Sequence, residues 1–148
     1  MTEIPELVTS AGDLAAALNA TVAHFGADSG TIHLIGDGGA LHLRAATAGI
    51  PQFVLDTVRV VPVGKGMAGL AAERAQPVTA CNIQTDTSGD VRPGAKLTGL
   101  EGAIVVPMIV DGAVRGSLGI ANRRERTFTK AEQHLLLAIG AFLAARNG

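Results

Sequence analysis

The chain has 148 residues, 47% of them hydrophobic and 17% charged, with a formal net charge of −1. That length suits one domain with a full core, and the weak net charge offers no field for nucleic acid or an anionic membrane. Trp and Tyr are absent and Phe numbers 4, so aromatic platforms for single-stranded nucleic acid are lacking too.

The opening residues, MTEIPELVTS, carry acids and a proline where a signal peptide would carry basic residues and an apolar run. The longest apolar run, Ala103 to Val110, falls far short of the ~20 residues a spanning helix needs. One cysteine allows no internal disulfide. The expectation is a stand-alone cytoplasmic protein with no membrane or nucleic-acid partner.

Ser10 is the predicted start of the first helix, with Asp13 three residues on suiting the positive end of the helix dipole. Leu14, Leu18, Val22 and Phe25 recur at helical spacing, and Gly26 is a natural stop. A hairpin follows. Ile32 and Leu34 share one face of its first strand, and Thr31 and His33 share the other. Gly36-Asp37-Gly38-Gly39 is a turn signal, and Leu41, Leu43 and Ala45 form one face of the return. With Asp37 and Gly38 as the turn residues, His33 lies across from His42 on the polar face.

A short helix is predicted from Pro51 to about Asp56, and an edge strand within Thr57 to Val63, because Pro62 cannot donate to a ladder. Gly64-Lys65-Gly66 turns into a helix from about Met67 to Ala75. Pro77 to Ala80 reads as a brief strand. Ala103 to Val110 and Ala113 to Ala121 form the second hairpin, with Asp111-Gly112 as its two-residue turn. Thr129 and Glu132 fit a capping box for the last helix. Its apolar stripe comprises Ala131, Leu135, Ala138, Phe142 and Ala145, widened by Leu136, Ile139 and Leu143. A stripe so broad can cover a sheet and leave apolar surface for another subunit. Two hairpins with helices at both ends describe an α+β domain on an antiparallel sheet.

Between these elements, Cys81 to Glu101 (CNIQTDTSGDVRPGAKLTGLE) has no period of either kind. A polar loop that long inside a domain is usually functional or disordered. It reads as the lid or wall of a small-molecule site. Asn82, Asp86, Thr87, Ser88, Asp90 and Glu101 offer hydrogen bonds to a ligand, and Arg92 and Lys96 could grip a carboxylate or phosphate. The competing reading is a solvated loop whose Asx and Ser turns hold its own backbone. The mixed charges and hydroxyls favour a small polar ligand.

The ordered set GADSGTIHLI, LRAATAGIP, VRVVPVGKGMAGLAAERAQPV, GAIVVPMIVDGAVRGSLGIAN and FTKAEQHLLLAIGAFLAA resembles a GAF domain, from about Asp13 to Ala145. The resemblance implies one GAF-like domain over 1–148, with a twisted antiparallel sheet and helices packed on one face. It puts a ligand pocket under loops on the other face, with Cys81 to Glu101 as its wall. A sensor or ligand-binding role in signalling follows, with a homodimer through the N- and C-terminal helices. The chain is also similar to free methionine-(R)-sulfoxide reductases. Those enzymes use several cysteines around this loop and acids at positions that are Ala103, Gly119 and Ala121 here. Asn122, Arg123, Phe128, Glu132 and Gln133 give a degraded version of the signature of cyclic-nucleotide GAF domains.

The enzymatic alternative rests on Cys81, as a nucleophile or redox thiol at a strand-to-loop junction. A free cysteine more commonly packs as a small hydrophobe. Bilin attachment usually shows Cys-His, whereas Asn82 follows Cys81. Gly64-Lys65-Gly66-Met67-Ala68-Gly69 matches GxGxxG but lacks a parallel crossover, so it reads as a tight loop with close helix packing. Of His24, His33, His42 and His134, only His33 and His42 could pair, and two ligands on a solvated strand face make no metal site. No metal and no cofactor are expected.

Overall fold

The computed structural model describes residues 3–91 and 98–147. Six strands form one antiparallel sheet in the order β3-β2-β1-β6-β5-β4. They are β1 (Ser29–Ile35), β2 (Leu41–Ala46), β3 (Val60–Val61), β4 (Val78–Ala80), β5 (Gly102–Val110) and β6 (Ala113–Asn122). The helices are α1 (Glu6–Thr9), α2 (Leu14–His24), α3 (Gln52–Thr57), α4 (Gly66–Arg74) and α5 (Lys130–Asn147). The expected α+β architecture is therefore present, with the Pro62-bearing segment at an edge of the sheet.

The second hairpin follows its sequence closely. Asp111 and Gly112 both take positive φ, 51° and 80°, as a two-residue turn matched to strand twist requires. From Gly102↔Asn122 to Met108↔Gly116 the register is continuous, then shifts once before the turn. The first hairpin closes differently. Its loop contains a 3-10 turn, Asp37–Gly39, and the Gly36 amide donates to the Ala40 carbonyl at 3.0 Å.

The main core lies on one face of the sheet. Leu14, Leu18, Val22 and Phe25 of the α2 segment pack against Ile32 and Leu34 of β1 and Ile104, Val106 and Met108 of β5, with α5 beside them. Each fully buried aliphatic side chain there contributes roughly 2 kcal/mol. The α5 residues that bury are Leu136, Ile139, Gly140, Leu143 and Ala144. The row predicted to lead, Ala131 to Ala145, stays half-buried or exposed. The difference arises at Gly140. A Cβ there would stand 3.2 Å from Met108 Cγ, so the missing side chain lets α5 settle on β5 with that side inward.

Asp13, not Ser10, caps α2. Its carboxylate accepts from the Ala16 amide at 2.8 Å, while Ser10 ends the separate short helix α1. The Thr129–Glu132 capping box forms in both directions, at 2.9 and 3.1 Å. Between Gly64 and Gly69 the chain makes the tight loop and close helix packing expected of it. Gly64 and Gly66 take positive φ, and a side chain on Gly69 would strike the Pro62 carbonyl.

Candidate functional site

The second face of the sheet carries two smaller apolar clusters, Leu41 with Val61 and Ala72, and Ala80 with Ile83, Ala103 and Ala121, and an unfilled space. This cavity of about 350 Å³ lies between the sheet and the α3–α4 region, within the size range of small-molecule sites. The floor comes from the three central strands. Ser29, Thr31 and His33 of β1, Gly119 and Ala121 of β6, and Ala103 and Val105 of β5 all face it. Gly and Ala are weak strand formers, and large side chains there would stabilise the sheet better. Small residues at Ala103, Gly119 and Ala121 leave the space open instead. These are the three positions that the resemblance to the reductases matched with acids.

The walls are mainly aliphatic. Val54 and Val58 come from α3 and its end, Met67 and Ala68 from α4, and Ile83 and Leu100 from the two ends of the long loop. Phe53, 53% exposed, and Lys65, also exposed, mark the rim. On the same sheet face the Ser117 hydroxyl donates to the Ala68 carbonyl at 2.8 Å, holding α4 to β6.

His33 lines the cavity together with the polar residues Ser29, Thr31, Thr57 and Thr98. With Asp37 and Gly38 as the turn residues the sequence placed His33 opposite His42, and in either register on a solvated face; the structure shows neither the pairing nor the exposure. The β1–β2 register shifts between Ile32 and His33, so His33 pairs with Leu43 and His42 with Leu34. Thr31 and His33 do share a face, but that face is the covered one. His33 is 3% exposed. Its Nε2 donates to the Val58 carbonyl at 2.8 Å, and its Nδ1 is buried with no partner among the described residues. Burial lowers the pKa of the imidazole below the ordinary histidine value, while the hydrogen bond to Val58 acts in the other direction. His42 instead donates to the Asp37 carbonyl in its own hairpin loop, at 3.1 Å.

The polar residues expected to contact a ligand are placed differently. Asn82 is buried and donates to Glu125 at 2.8 Å and Glu101 at 3.3 Å. The Ile83 amide donates to the Glu101 carbonyl at 2.6 Å, and the Gln84 side chain to the Leu100 carbonyl at 2.8 Å. These bonds tie the ends of the loop together and so position Ile83 and Leu100. Ser88 donates to the Asp86 carboxylate through both its amide and its hydroxyl. Asp90 pairs with Arg74 of α4 through two hydrogen bonds, at 3.0 and 3.1 Å. That pairing lowers the Asp90 pKa and raises that of Arg74. Thr87 is exposed. None of these side chains belongs to the cavity wall. Arg92 and Lys96 lie outside the described residues. Cys81 does sit at the junction after β4, but it is exposed, not packed as a small hydrophobe, and lies off the wall. Among the described residues no three His, Cys, Asp or Glu side chains gather to hold a metal ion.

Antiparallel strand order, long helices on one face and a roofed cavity on the other are matched by a known family. The sequence profile of the GAF domain fits residues 9–145. This chain belongs to the GAF domain family.

Solved GAF domains have the same fold at low identity. The GAF domain of the Acinetobacter phosphoenolpyruvate-protein phosphotransferase superposes with a TM-score of 0.73 at 21% identity, covering 93% of this chain and 84% of that one. Its Coxiella burnetii counterpart gives 0.74 at 23%, with the same coverage. The Neisseria meningitidis free methionine-R-sulfoxide reductase, in complex with its substrate, gives 0.74 at 20%, covering 94% and 80%. At these identities the likeness is one of fold. No curated protein matches the chain in sequence. No helix among the described residues is long and apolar enough to cross a membrane.

Proposed function

We propose that this GAF domain binds a small, mainly apolar molecule between the sheet and α3–α4, and serves as a sensor or ligand-binding module. The observation that carries this reading is the floor of the cavity. Three central strands give up large side chains at Ala103, Gly119 and Ala121, at a cost in sheet stability, and the space so left is lined by Val54, Val58, Met67, Ile83, Leu100 and Val105. GAF domains are commonly small-molecule-binding sensor modules, which supports the same reading. The polar ligand suggested by the loop composition draws less support, because Asn82, Asp86, Ser88 and Asp90 bond within the loop, to Glu125 or to Arg74.

A homodimer through the terminal helices is part of the proposal. Its support is the apolar surface left on α1 and α5, where Leu7 is 75% exposed and Leu135, Ala138 and Phe142 are half-buried.

The test is a thermal-shift screen of purified protein against apolar and aromatic compounds alongside amino acids, nucleotides and small acids. A molecule that binds only the folded state raises the melting temperature. Shifts confined to the apolar set support the reading. Shifts confined to the charged set contradict it.

A further inference from the structure

We propose that the hydroxyls of Ser29 and Thr31 select the ligand by donating hydrogen bonds from the cavity floor, so that the site takes a neutral, mainly apolar molecule carrying a carbonyl oxygen to accept them. This inference rests on the reading of the cavity as the ligand site.

Ser29 and Thr31 stand two residues apart on β1, so their side chains leave the same face of the sheet, and both line the cavity. Neither hydroxyl has a hydrogen-bond partner among the described residues. Their neighbours are engaged: Ser117 donates to the Ala68 carbonyl and Thr57 to the Phe53 carbonyl, each at 2.8 Å. Both free hydroxyls are open to a bound molecule. Ser29 is 8% exposed. Among the described residues the one polar side-chain atom both unpartnered and closed off from all surface is His33 Nδ1, so the unpartnered Ser29 hydroxyl keeps an open side. The space along Ser29 belongs to this cavity and to a small pocket that shares its wall. Thr31 is half-buried, and a Cβ on Gly119 would stand 3.7 Å from its Oγ1. The Thr31 hydroxyl therefore borders the space that Gly119 leaves empty.

A buried O–H without an acceptor is costly, so a molecule that displaces water from this floor must bring an acceptor of its own. The floor also sets its charge. Ser29, Thr31, Ala103, Val105, Gly119 and Ala121 carry none, and burial disfavours the charged form of His33. Among the described wall residues the remaining charged group is Lys65, exposed at the rim. A carboxylate against these hydroxyls would be buried without a counter-charge. A carbonyl oxygen is matched.

The experiment uses two matched probe pairs, 1-indanone with indane and 2-acetonaphthone with 2-ethylnaphthalene, and 2-naphthoate as a charged probe. Within a pair the apolar body is the same and a carbonyl replaces a CH₂. Affinities are measured by calorimetric titration in the wild type and in the Ser29→Ala/Thr31→Val double variant. Ketones are better hydrated than hydrocarbons, so the quantity read is the change in each ketone-to-hydrocarbon affinity ratio on substitution. Both ratios fall about fivefold or more, the loss of at least one ordinary hydrogen bond, while the hydrocarbons keep their affinity within twofold. Because neither hydroxyl bonds within the protein, the variant unfolds at no lower urea concentration than the wild type. In the wild type 2-naphthoate binds more weakly than 2-acetonaphthone. Unchanged ratios, a lowered urea midpoint, or tighter binding of 2-naphthoate overturn the role of the two hydroxyls and leave the cavity standing as a binding site. Failure of all five probes to bind the wild type overturns the cavity reading, and this proposal with it.

Discussion

The His33 imidazole and the Val58 carbonyl lie 2.8 Å apart, joining the middle of β1 to the residue that ends α3. The bond crosses the cavity wall and fixes both the roof and the tautomer of the ring. It also makes the fold sensitive to pH. Burial depresses the His33 pKa in the folded chain, so the unfolded chain takes up a proton near the ordinary value of 6.5 while the folded chain does not. Stability therefore falls as pH drops below 6.5 and levels off once the folded group titrates. The limiting slope for one proton is about 1.4 kcal/mol per pH unit. Chemical denaturation between pH 5 and 8 measures it. His33→Gln, which keeps a donor but does not titrate, flattens the slope in that range. The depressed carboxyls of Asp90 and Glu132 act lower, where stability present above the ordinary carboxyl value is lost as pH falls through the folded one.

Arg126 holds the start of α5 to the rest of the core. Its guanidinium donates to the Phe25 carbonyl at 2.7 Å, to Asn122 at 2.8 Å and to Glu132 at 2.6 Å, and lies over the Phe128 ring. The side chain is 11% exposed. Arg126→Ala leaves three acceptors short of a donor and destabilises the fold by about 2–3 kcal/mol. Arg126→Lys restores less than half of this, because one ammonium cannot span all three acceptors. Urea denaturation of the two variants checks both figures.

Gly119 lies in the cavity floor on β6. Gly119→Leu places four carbons where the ligand is proposed to sit. Its own Cβ would stand 3.1 Å from Val105 Cγ2, so neighbouring side chains move slightly while the fold persists. Circular dichroism of this variant matches the wild type, and calorimetric titration shows at least a tenfold loss of ligand affinity. Undiminished binding by a folded variant places the ligand elsewhere.

Gly140 gives the converse on the helix face. Gly140→Val drives a branched side chain into Met108 and costs about 2 kcal/mol by overpacking. Ligand affinity, measured well below the melting transition, stays within twofold of wild type because the change lies on the opposite face of the sheet.

Much of the fold was legible because local rules agreed with one another. The Asp111-Gly112 turn, the Thr129–Glu132 box and the α2 stripe each specify their element without distant help. The errors occur where tertiary contacts decide. Asp13 displaced Ser10 as a cap because the chain forms a separate short helix before it. Gly140 turned α5 by allowing a close approach that no periodicity reveals. The site was legible only in outline. Its place, on the face away from the long helices and beside the long loop, followed from the family resemblance and is where the cavity lies. The loop's polar composition did not reveal the cavity wall: Asn82, Asp86, Ser88 and Asp90 bond within the loop, to Glu125 or to Arg74, and hydroxyls and carboxylates used for turns look the same in sequence as those used for binding. His33 was misread because alternation shows which residues share a face and not whether the face is covered. A cluster of Gly and Ala at the centres of predicted strands was the signal that could have found the cavity.

The most direct test uses the methionines. The chain has three, and the structure places Met67 in the cavity wall and Met108 in the core beyond the sheet. With ¹³C-methyl-methionine protein, titration with the compound giving the largest thermal shift is followed by NMR. The account predicts that the Met67 methyl resonance moves in step with binding while Met108 holds still. Saturable binding that shifts Met108 and leaves Met67 unmoved contradicts it.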